Sequence, residues 1–198
     1  MMLSVDDISG VDVNIMLSPK RLRPCSALVV RFLSALSKSI LTRRESKQYP
    51  DLVTFAFFCR RASLNRIKDA YVDSQMRLGW GVALHVAPAN VPINAAFTFV
   101  FGLLSGNSNV VRLPSKTWPQ IDLFLEIYNE VSQQNDFADI GKSNSFIRTD
   151  HDSVQLLALV SSADALVVWG GILRLPTFVQ CRKSQDALNY TFQIEHPV

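Results

Sequence analysis

Apolar residues along this chain follow two kinds of pattern, and both occur between residues 79 and 116. A short apolar run at 82–87 lies between glycines and Pro88, which is typical of a strand buried in a parallel sheet. Residues 95–104 are apolar nearly all round and predict a helix buried on more than one side. A second run at 109–113 predicts another strand, so this stretch is predicted to form a β–α–β unit.

Apolar positions three or four residues apart predict further helices on both sides of this unit. Ser26 can cap a helix that runs to about residue 41, and Pro50 begins a second helix with apolar positions out to Leu64. Thr117 is predicted to cap a helix that ends near Gln133. The other predicted segments are a loose lead-in at 1–24, a charged break at 42–48, a loop at 136–143, a strand at 145–149, a helix that begins at Asp150 or Asp152, and a strand at 164–169.

Strands that alternate with helices of this length indicate an α/β fold. The connections predict a Rossmann-like parallel sheet with right-handed crossovers, preceded by N-terminal helices. We therefore divide the chain into an N-terminal helical region at 1–75 and a nucleotide-binding α/β domain at 76–198.

Composition narrows the class of protein. The 198 residues are 48% hydrophobic and 19% charged, which indicates a globular chain. No apolar run approaches the roughly 20 residues that span a bilayer, and the N-terminus lacks a secretory pattern. Three cysteines without CxxC spacing indicate reduced thiols. We therefore expect a cytoplasmic protein without stable membrane insertion.

The net charge of +3 conceals an uneven distribution. Residues 1–77 hold 13 Lys or Arg against 7 Asp or Glu, whereas residues 78–198 hold 7 against 10. A basic half could attract nucleic acid, a membrane or a phosphorylated ligand. Its charges are spread along helical segments without interleaved aromatic residues, which favours a solvated helix face and no nucleic-acid partner.

The exact amino-acid sequence of the β–α–β unit is more informative than its pattern of apolar and polar residues. Residues 85–92 read His-Val-Ala-Pro-Ala-Asn-Val-Pro, and Gly106-Asn107 precedes a strand that contains Val110, Val111 and Arg112. This wording resembles the nucleotide-binding domain of the aldehyde dehydrogenase superfamily. Within it, the chain looks most like the acyl-CoA reductases related to the fatty-acid reductase of bacterial luminescence, over roughly residues 50–171. The Gly-x-Gly-x-x-Gly fingerprint is absent, but aldehyde dehydrogenases bind their cofactor without it.

The resemblance implies a catalytic role for Asn90. In the family pattern this asparagine donates its side-chain amide to the oxyanion that develops on the substrate, which must meet a fixed donor in a dry site. The alternative is that Asn90 serves only the turn, because asparagine suits such a bend by itself.

The resemblance also implies cofactor contacts at two places. Arg112 stands where the family usually has a lysine near the adenosine ribose, with Ser115 and Lys116 close behind. An arginine fork suits a 2′-phosphate and favours NADP over NAD, although a rim charge is the alternative. Gly170 and Gly171 match the family's Trp-Gly-Gly, where small residues let the backbone approach the cofactor; a plain turn is the alternative.

The remaining reactive side chains give no second site. His85, His151 and His196 are too far apart in sequence for a metal site, and His85 is expected to be a hydrogen-bonded core histidine. Cys59 lies on an apolar helix stripe and is expected to be a packed thiol.

The family's catalytic cysteine falls well after the Gly-Gly strand, whereas this sequence continues for 27 residues past Gly171. Cys181 is too early and lacks the family's context of small residues. The resemblance thus implies the cofactor-binding portion of an NADPH-dependent acyl-CoA reductase that is inactive alone, with the catalytic domain absent. Its implied partners are an acyl-CoA or acyl-protein substrate, with a homo-oligomer or partner enzyme subunits left open. The alternative is a non-catalytic nucleotide-binding or protein-interaction domain.

Overall fold

A five-stranded sheet forms the centre of the fold. The structure is a computed structural model that describes residues 6–7, 21–71, 76–149 and 153–169. The strands are β1 (Asp6–Asp7), β2 (Val82–Val86), β3 (Ser108–Leu113), β4 (Asn144–Arg148) and β5 (Ala165–Val168). Their order across the sheet is β1-β4-β3-β2-β5, and β2 to β5 are all parallel.

The connections between the parallel strands are helical, which confirms the α/β prediction. Helix α4 (Asn94–Leu104) joins β2 to β3, α5 (Pro119–Ser132) and the short α6 (Ala138–Lys142) lead to β4, and α7 (Val154–Ser162) joins β4 to β5. The strand β1 pairs antiparallel with β4 inside the segment predicted to be a loose lead-in. A strand of two residues has no periodicity that the sequence could reveal.

The N-terminal helices differ from the prediction in one respect. Helix α1 (Ala27–Thr42) begins as predicted, because the Ser26 hydroxyl accepts a hydrogen bond from the Val29 amide at 3.4 Å. The predicted second helix is instead two helices, α2 (Pro50–Phe58) and α3 (Arg61–Ala70). Arg60 adopts an extended conformation between them, and neither glycine nor proline marks the break.

Three further boundaries differ from the sequence prediction. The predicted loop at 136–143 contains a 3-10 helix (Asn135–Phe137) and α6, which bury Phe137 and Ile140. Helix α5 begins at Pro119 after Trp118, so Thr117 does not cap it. Helix α7 is capped by the Ser153 hydroxyl, whereas Asp150 and Asp152 lie outside the described residues.

One large core joins the N-terminal helices to the sheet. Phe32 of α1 lies edge-on to Tyr128 of α5, with 6.0 Å between ring centroids, and Phe99 of α4 lies 5.4 Å from the same ring. Such aromatic pairs contribute roughly 0.5–1.5 kcal/mol beyond their buried area. A smaller core on the opposite face packs α7 against Leu84 of β2. The division of the chain at residue 75 stays a prediction.

Candidate functional site

The residues singled out in the sequence gather at the carboxyl edge of the sheet. Asn90 lies in the bend after β2, Ser115 and Lys116 follow β3, and Trp169 follows β5. Ligands of open α/β sheets bind at this edge, because the loops beyond the strands form a crevice there. Gly170 and Gly171 lie outside the described residues.

Asn90 is exposed in the turn between β2 and α4. Among the described residues its side-chain amide makes no hydrogen bond to another group, so the amide can donate to a ligand at this edge. Its predicted role as an oxyanion donor stays a prediction.

Arg112 lies inside the sheet and not on its rim. The side chain is 1% exposed, and its Nε and Nη2 donate to the carbonyl oxygen of Thr149 at 3.1 and 2.9 Å. A buried cation is costly unless its donors are satisfied. Arg112 therefore holds the residue that follows β4, and the alternative of a solvated rim charge is wrong. Its contact with a cofactor stays a prediction.

Lys116 presents a cation to solvent at this edge. Its Nζ lies 3.9 Å from the ring centroid of Trp118, the residue that immediately precedes α5. A cation–π contact at an exposed site contributes about 0.5–1 kcal/mol. Ser115 is also exposed beside it. The two side chains form a small donor surface directly after β3.

His85 is a buried, fully hydrogen-bonded histidine, as the sequence predicted. Its Nδ1 lies 2.6 Å from Thr98 Oγ1 and its Nε2 lies 2.9 Å from Asn109 Oδ1. The Asn109 amide nitrogen donates to Asn144 Oδ1 at 2.7 Å, so Asn109 Oδ1 is left as an acceptor. The histidine thus carries its proton on Nε2 and accepts from Thr98 at Nδ1.

The charge state of His85 follows from this environment. Burial lowers the pKa of His85 to about 4, with the hydrogen bond to Asn109 opposing that shift. The ring is therefore neutral at pH 7, and both of its nitrogens are occupied.

A cavity of about 560 Å³ lies between α4 and β5 on the face that contains His85. Its wall is mainly apolar, and its largest lining side chains are Trp80, Phe101 and Trp169. Trp80 and Phe101 are 54% and 47% exposed, so the cavity opens to solvent. His85 contributes shape to this wall, because neither ring nitrogen is available to a ligand.

The two described thiols are not activated. Cys59 is fully buried, which confirms it as a packed thiol, and burial raises its pKa. Burial also raises the pKa of Cys25, and the nearby Lys68 charge opposes that effect. A thiol must ionise to attack a carbonyl carbon, so neither residue has the environment of a nucleophile. Cys181 lies outside the described residues.

Two further features are absent from the described parts of the chain. Within them, no three His, Cys, Asp or Glu side chains come together in a way that could hold a metal ion. No described helix combines the length and the hydropathy that crossing a membrane requires.

Solved structures similar to this chain include aldehyde dehydrogenases. The aldehyde dehydrogenase from Bacillus cereus, solved with NAD⁺, is 10% identical with a TM-score of 0.65 over 93% of this chain and 43% of its own. Lactaldehyde dehydrogenase from Escherichia coli is 14% identical with a TM-score of 0.61 over 82% and 38%. The present chain thus spans about two fifths of the length of these proteins. No curated protein sequence matches it significantly.

The chain therefore has the Rossmann-like fold seen in these aldehyde dehydrogenases. Residues 20–190 match the family model described as acyl-CoA reductase (LuxC). The chain belongs to this acyl-CoA reductase family, which confirms the resemblance seen in the sequence.

Proposed function

We propose that this chain forms the cofactor-binding portion of an NADPH-dependent acyl-CoA reductase, which converts an acyl-CoA to a fatty aldehyde through a cysteine thioester. The observation that carries the proposal is the placement of Asn90 and Lys116 at one sheet edge in a chain of this family. Among the structural neighbours, the Bacillus cereus enzyme is an NAD⁺ complex, and 3,6-anhydro-L-galactose dehydrogenase is a complex with NAP.

The residues at this edge fit a phosphorylated nicotinamide cofactor. The Lys116 ammonium is exposed and has no carboxylate partner among the described residues, and the Ser115 hydroxyl lies next to it in the chain. A charged donor beside a hydroxyl suits a 2′-phosphate. Because Arg112 is committed to the Thr149 carbonyl, Lys116 takes the role that the sequence had suggested for Arg112. Bound there, the cofactor supplies the hydride.

Asn90 has its proposed role in the acyl-transfer step. A thiolate attacks the thioester carbon, and negative charge develops on the carbonyl oxygen before coenzyme A leaves. The exposed Asn90 amide is free to donate to that oxygen. In acyl-transfer enzymes, a donor held at the oxyanion contributes about 10²–10³ in rate. The thiolate must come from outside the described residues, because Cys25 and Cys59 are both buried.

Replacing Lys116 by glutamate should weaken NADPH binding about tenfold or more, because a charge-assisted contact to the 2′-phosphate is replaced by repulsion. NADH binding should change less than about twofold, because NADH has no 2′-phosphate. Calorimetric titration of the folded chain with each cofactor is the measurement.

Lys142→Glu is the matched control, because Lys142 is an exposed lysine at the end of α6, before β4 begins. It should leave both affinities unchanged. A folded chain that binds neither cofactor would contradict the cofactor-binding proposal. Equal loss of NADPH and NADH in Lys116→Glu would contradict only the role of Lys116.

The alternative function is a non-catalytic nucleotide-binding or protein-interaction domain, and the burial of both described thiols agrees with it as well. We expect the chain alone to form no aldehyde from NADPH and a fatty acyl-CoA, whichever of the two functions it has. Aldehyde formation followed by gas chromatography is the measurement. Turnover that disappears in Cys181→Ala would contradict this expectation and identify Cys181 as the nucleophile.

A further inference from the structure

Cationic side chains surround a cleft between α1 and α3, on the surface formed by the N-terminal helices. The cleft has a volume of about 390 Å³. Arg31 and Ser34 line it from α1, and Arg61, Asn65 and Lys68 line it from α3. No carboxylate is among its lining residues, so every charge that faces it within the described chain is positive.

A second cleft of about 260 Å³ continues from the first, and Lys68 lines both. Arg23 and Arg77 add two more cations to this extension, and Tyr71 adds a phenol. The two clefts meet at Lys68, and together they are lined by five cations and several neutral donors. We refer to these two adjoining clefts as the α1–α3 groove.

Within the described residues, the cations of the first cleft have no acidic partners. Within the described chain, Arg31, Arg61 and Lys68 form no ion pair, although these parts of the structure hold other arginine–carboxylate pairs. Arg43 at the end of α1, for example, lies 3.0 Å from a carboxylate oxygen of Glu126. Like charges that converge without counter-charges repel each other and attract anions.

The start of α3 adds to this positive potential. Its N-cap residue, Arg60, provides no side-chain hydrogen bond, and the first turn of the helix contains no acidic residue. The partial positive charge of an uncapped helix start therefore lies next to Arg61, the first residue of α3. The helix charge and the arginine charge have the same sign and add at this end of the cleft.

The groove lies at the opposite edge of the sheet from the candidate functional site. The chain just before α1 is tied to the end of α4, where the Leu22 amide donates to Gly106 O at 2.9 Å and the Cys25 amide to Leu104 O at 2.8 Å. Helix α4 has 11 residues and starts next to the Asn90 turn. A helix of that length spans roughly 16 Å. The groove lies near its end and the Asn90 turn near its start, so the groove is separate from the candidate site at the carboxyl edge of the sheet.

We propose that the α1–α3 groove is a binding site for the phosphate groups of a small phosphorylated molecule. Arginine recognises phosphate oxygens with paired N–H donors, and two arginines with one lysine match the charge of a pyrophosphate. The volume of the first cleft lies in the range of small-molecule sites, about 300–1,000 Å³, and its concave shape suits a small ligand better than an acidic protein surface. A pyrophosphate group occurs in both coenzyme A and the dinucleotide cofactors, so the shared chemistry is the pyrophosphate.

Titration of the full chain with inorganic pyrophosphate tests this proposal. Arg31→Gln and Arg61→Gln should each weaken pyrophosphate binding by about fivefold to tenfold, and the double variant by more. Arg66→Gln is the matched control, because it removes the same charge from the exposed surface of α3 at a residue that does not line the groove. It should change the affinity less than about twofold. The titrations are repeated in a Lys116→Glu background, which separates this site from the cofactor edge.

Coenzyme A and NADPH are then titrated against the same variants. The compound whose affinity falls in Arg31→Gln and Arg61→Gln, but not in Arg66→Gln, is the source of the phosphate group, and either result supports the proposal. Equal losses of affinity in all three variants would show that general surface charge causes the effect, and this result would overturn the proposal. Failure of pyrophosphate to bind would also overturn it, as would binding only of an acidic peptide such as poly-glutamate.

Discussion

Replacing Gly102 by alanine should lower the free energy of unfolding by about 3 kcal/mol, although alanine is the better helix former. Gly102 lies in α4, where the helix crosses the hydrogen bond between His85 and Asn109. A Cβ atom at residue 102 would overlap Asn109 Oδ1 and would lie 2.8 Å from His85 Nε2. The hydrogen bond between these two residues cannot survive that overlap in its present geometry.

The sign of the stability change follows from comparing the gain in helix propensity with the costs of overpacking and of the lost hydrogen bond. Alanine gains about 1 kcal/mol over glycine inside a helix. Overpacking a core costs about 1–3 kcal/mol, and a buried polar group that loses its partner costs about 1–3 kcal/mol more. Because His85 and Asn109 are both almost fully buried, neither can turn to water instead. The costs exceed the gain in helix propensity.

Urea denaturation followed by circular dichroism measures the change. Asn109→Ala is the informative control background, because it removes Asn109 Oδ1, the atom that the new methyl group would overlap. There, Gly102→Ala should cost less than about 1 kcal/mol beyond Asn109→Ala alone, since coupled residues are not additive. An unchanged or higher stability in Gly102→Ala would show that α4 can move away from β3 at little cost.

The β–α–β unit could be predicted closely because its signals are local. Pro88, Pro92 and Gly106 mark its turns, and the apolar runs between them leave little choice of element. The predicted helix at 95–104 differs from α4 by a single residue. The residues that carry the family resemblance lie in the same segment, so the fold and the family were predicted from the same residues.

The errors fall where structure depends on distant contacts. The break between α2 and α3 has no glycine or proline, and it follows from packing that keeps Cys59 and Leu64 buried on both sides of Arg60. Helix α6 has five residues, too few to show a period. Its position is set by the burial of Ile140.

The candidate site shows the same difference between features set by local sequence and features set by distant contacts. The position of Asn90 in the turn after β2 follows from local signals, and the sequence predicted that turn. The burial of Arg112 depends on the Thr149 carbonyl, 37 residues away in sequence, and no local pattern reports it. The α1–α3 groove was missed because the cations of its first cleft belong to two helices, and the sequence does not show that these helices lie side by side.

Acidification from pH 7.5 to pH 5 should destabilise the fold by about 2 kcal/mol through His85 alone. The pKa of this histidine is about 4 in the folded chain, because burial disfavours the charged ring, whereas an exposed histidine titrates near 6.5. Between these values the unfolded chain binds the proton and the folded chain does not. Stability is therefore full above about pH 6.5, falls as the pH decreases, and stops falling from this cause below about pH 4, where the loss reaches about 3 kcal/mol.

The comparison of wild type with His85→Gln isolates this effect from all other titrating groups. The variant should be less stable at pH 7.5, because glutamine cannot reproduce both hydrogen bonds, to Thr98 and Asn109. Its loss between pH 7.5 and pH 5 should nevertheless be about 2 kcal/mol smaller than that of the wild type. Urea denaturation at the two pH values gives both differences. Equal pH dependence in the two proteins would mean that His85 takes up its proton in the folded state near its ordinary pKa. The hydrogen bond at Nδ1 would then have to rearrange, because a charged ring can no longer accept from the Thr98 hydroxyl.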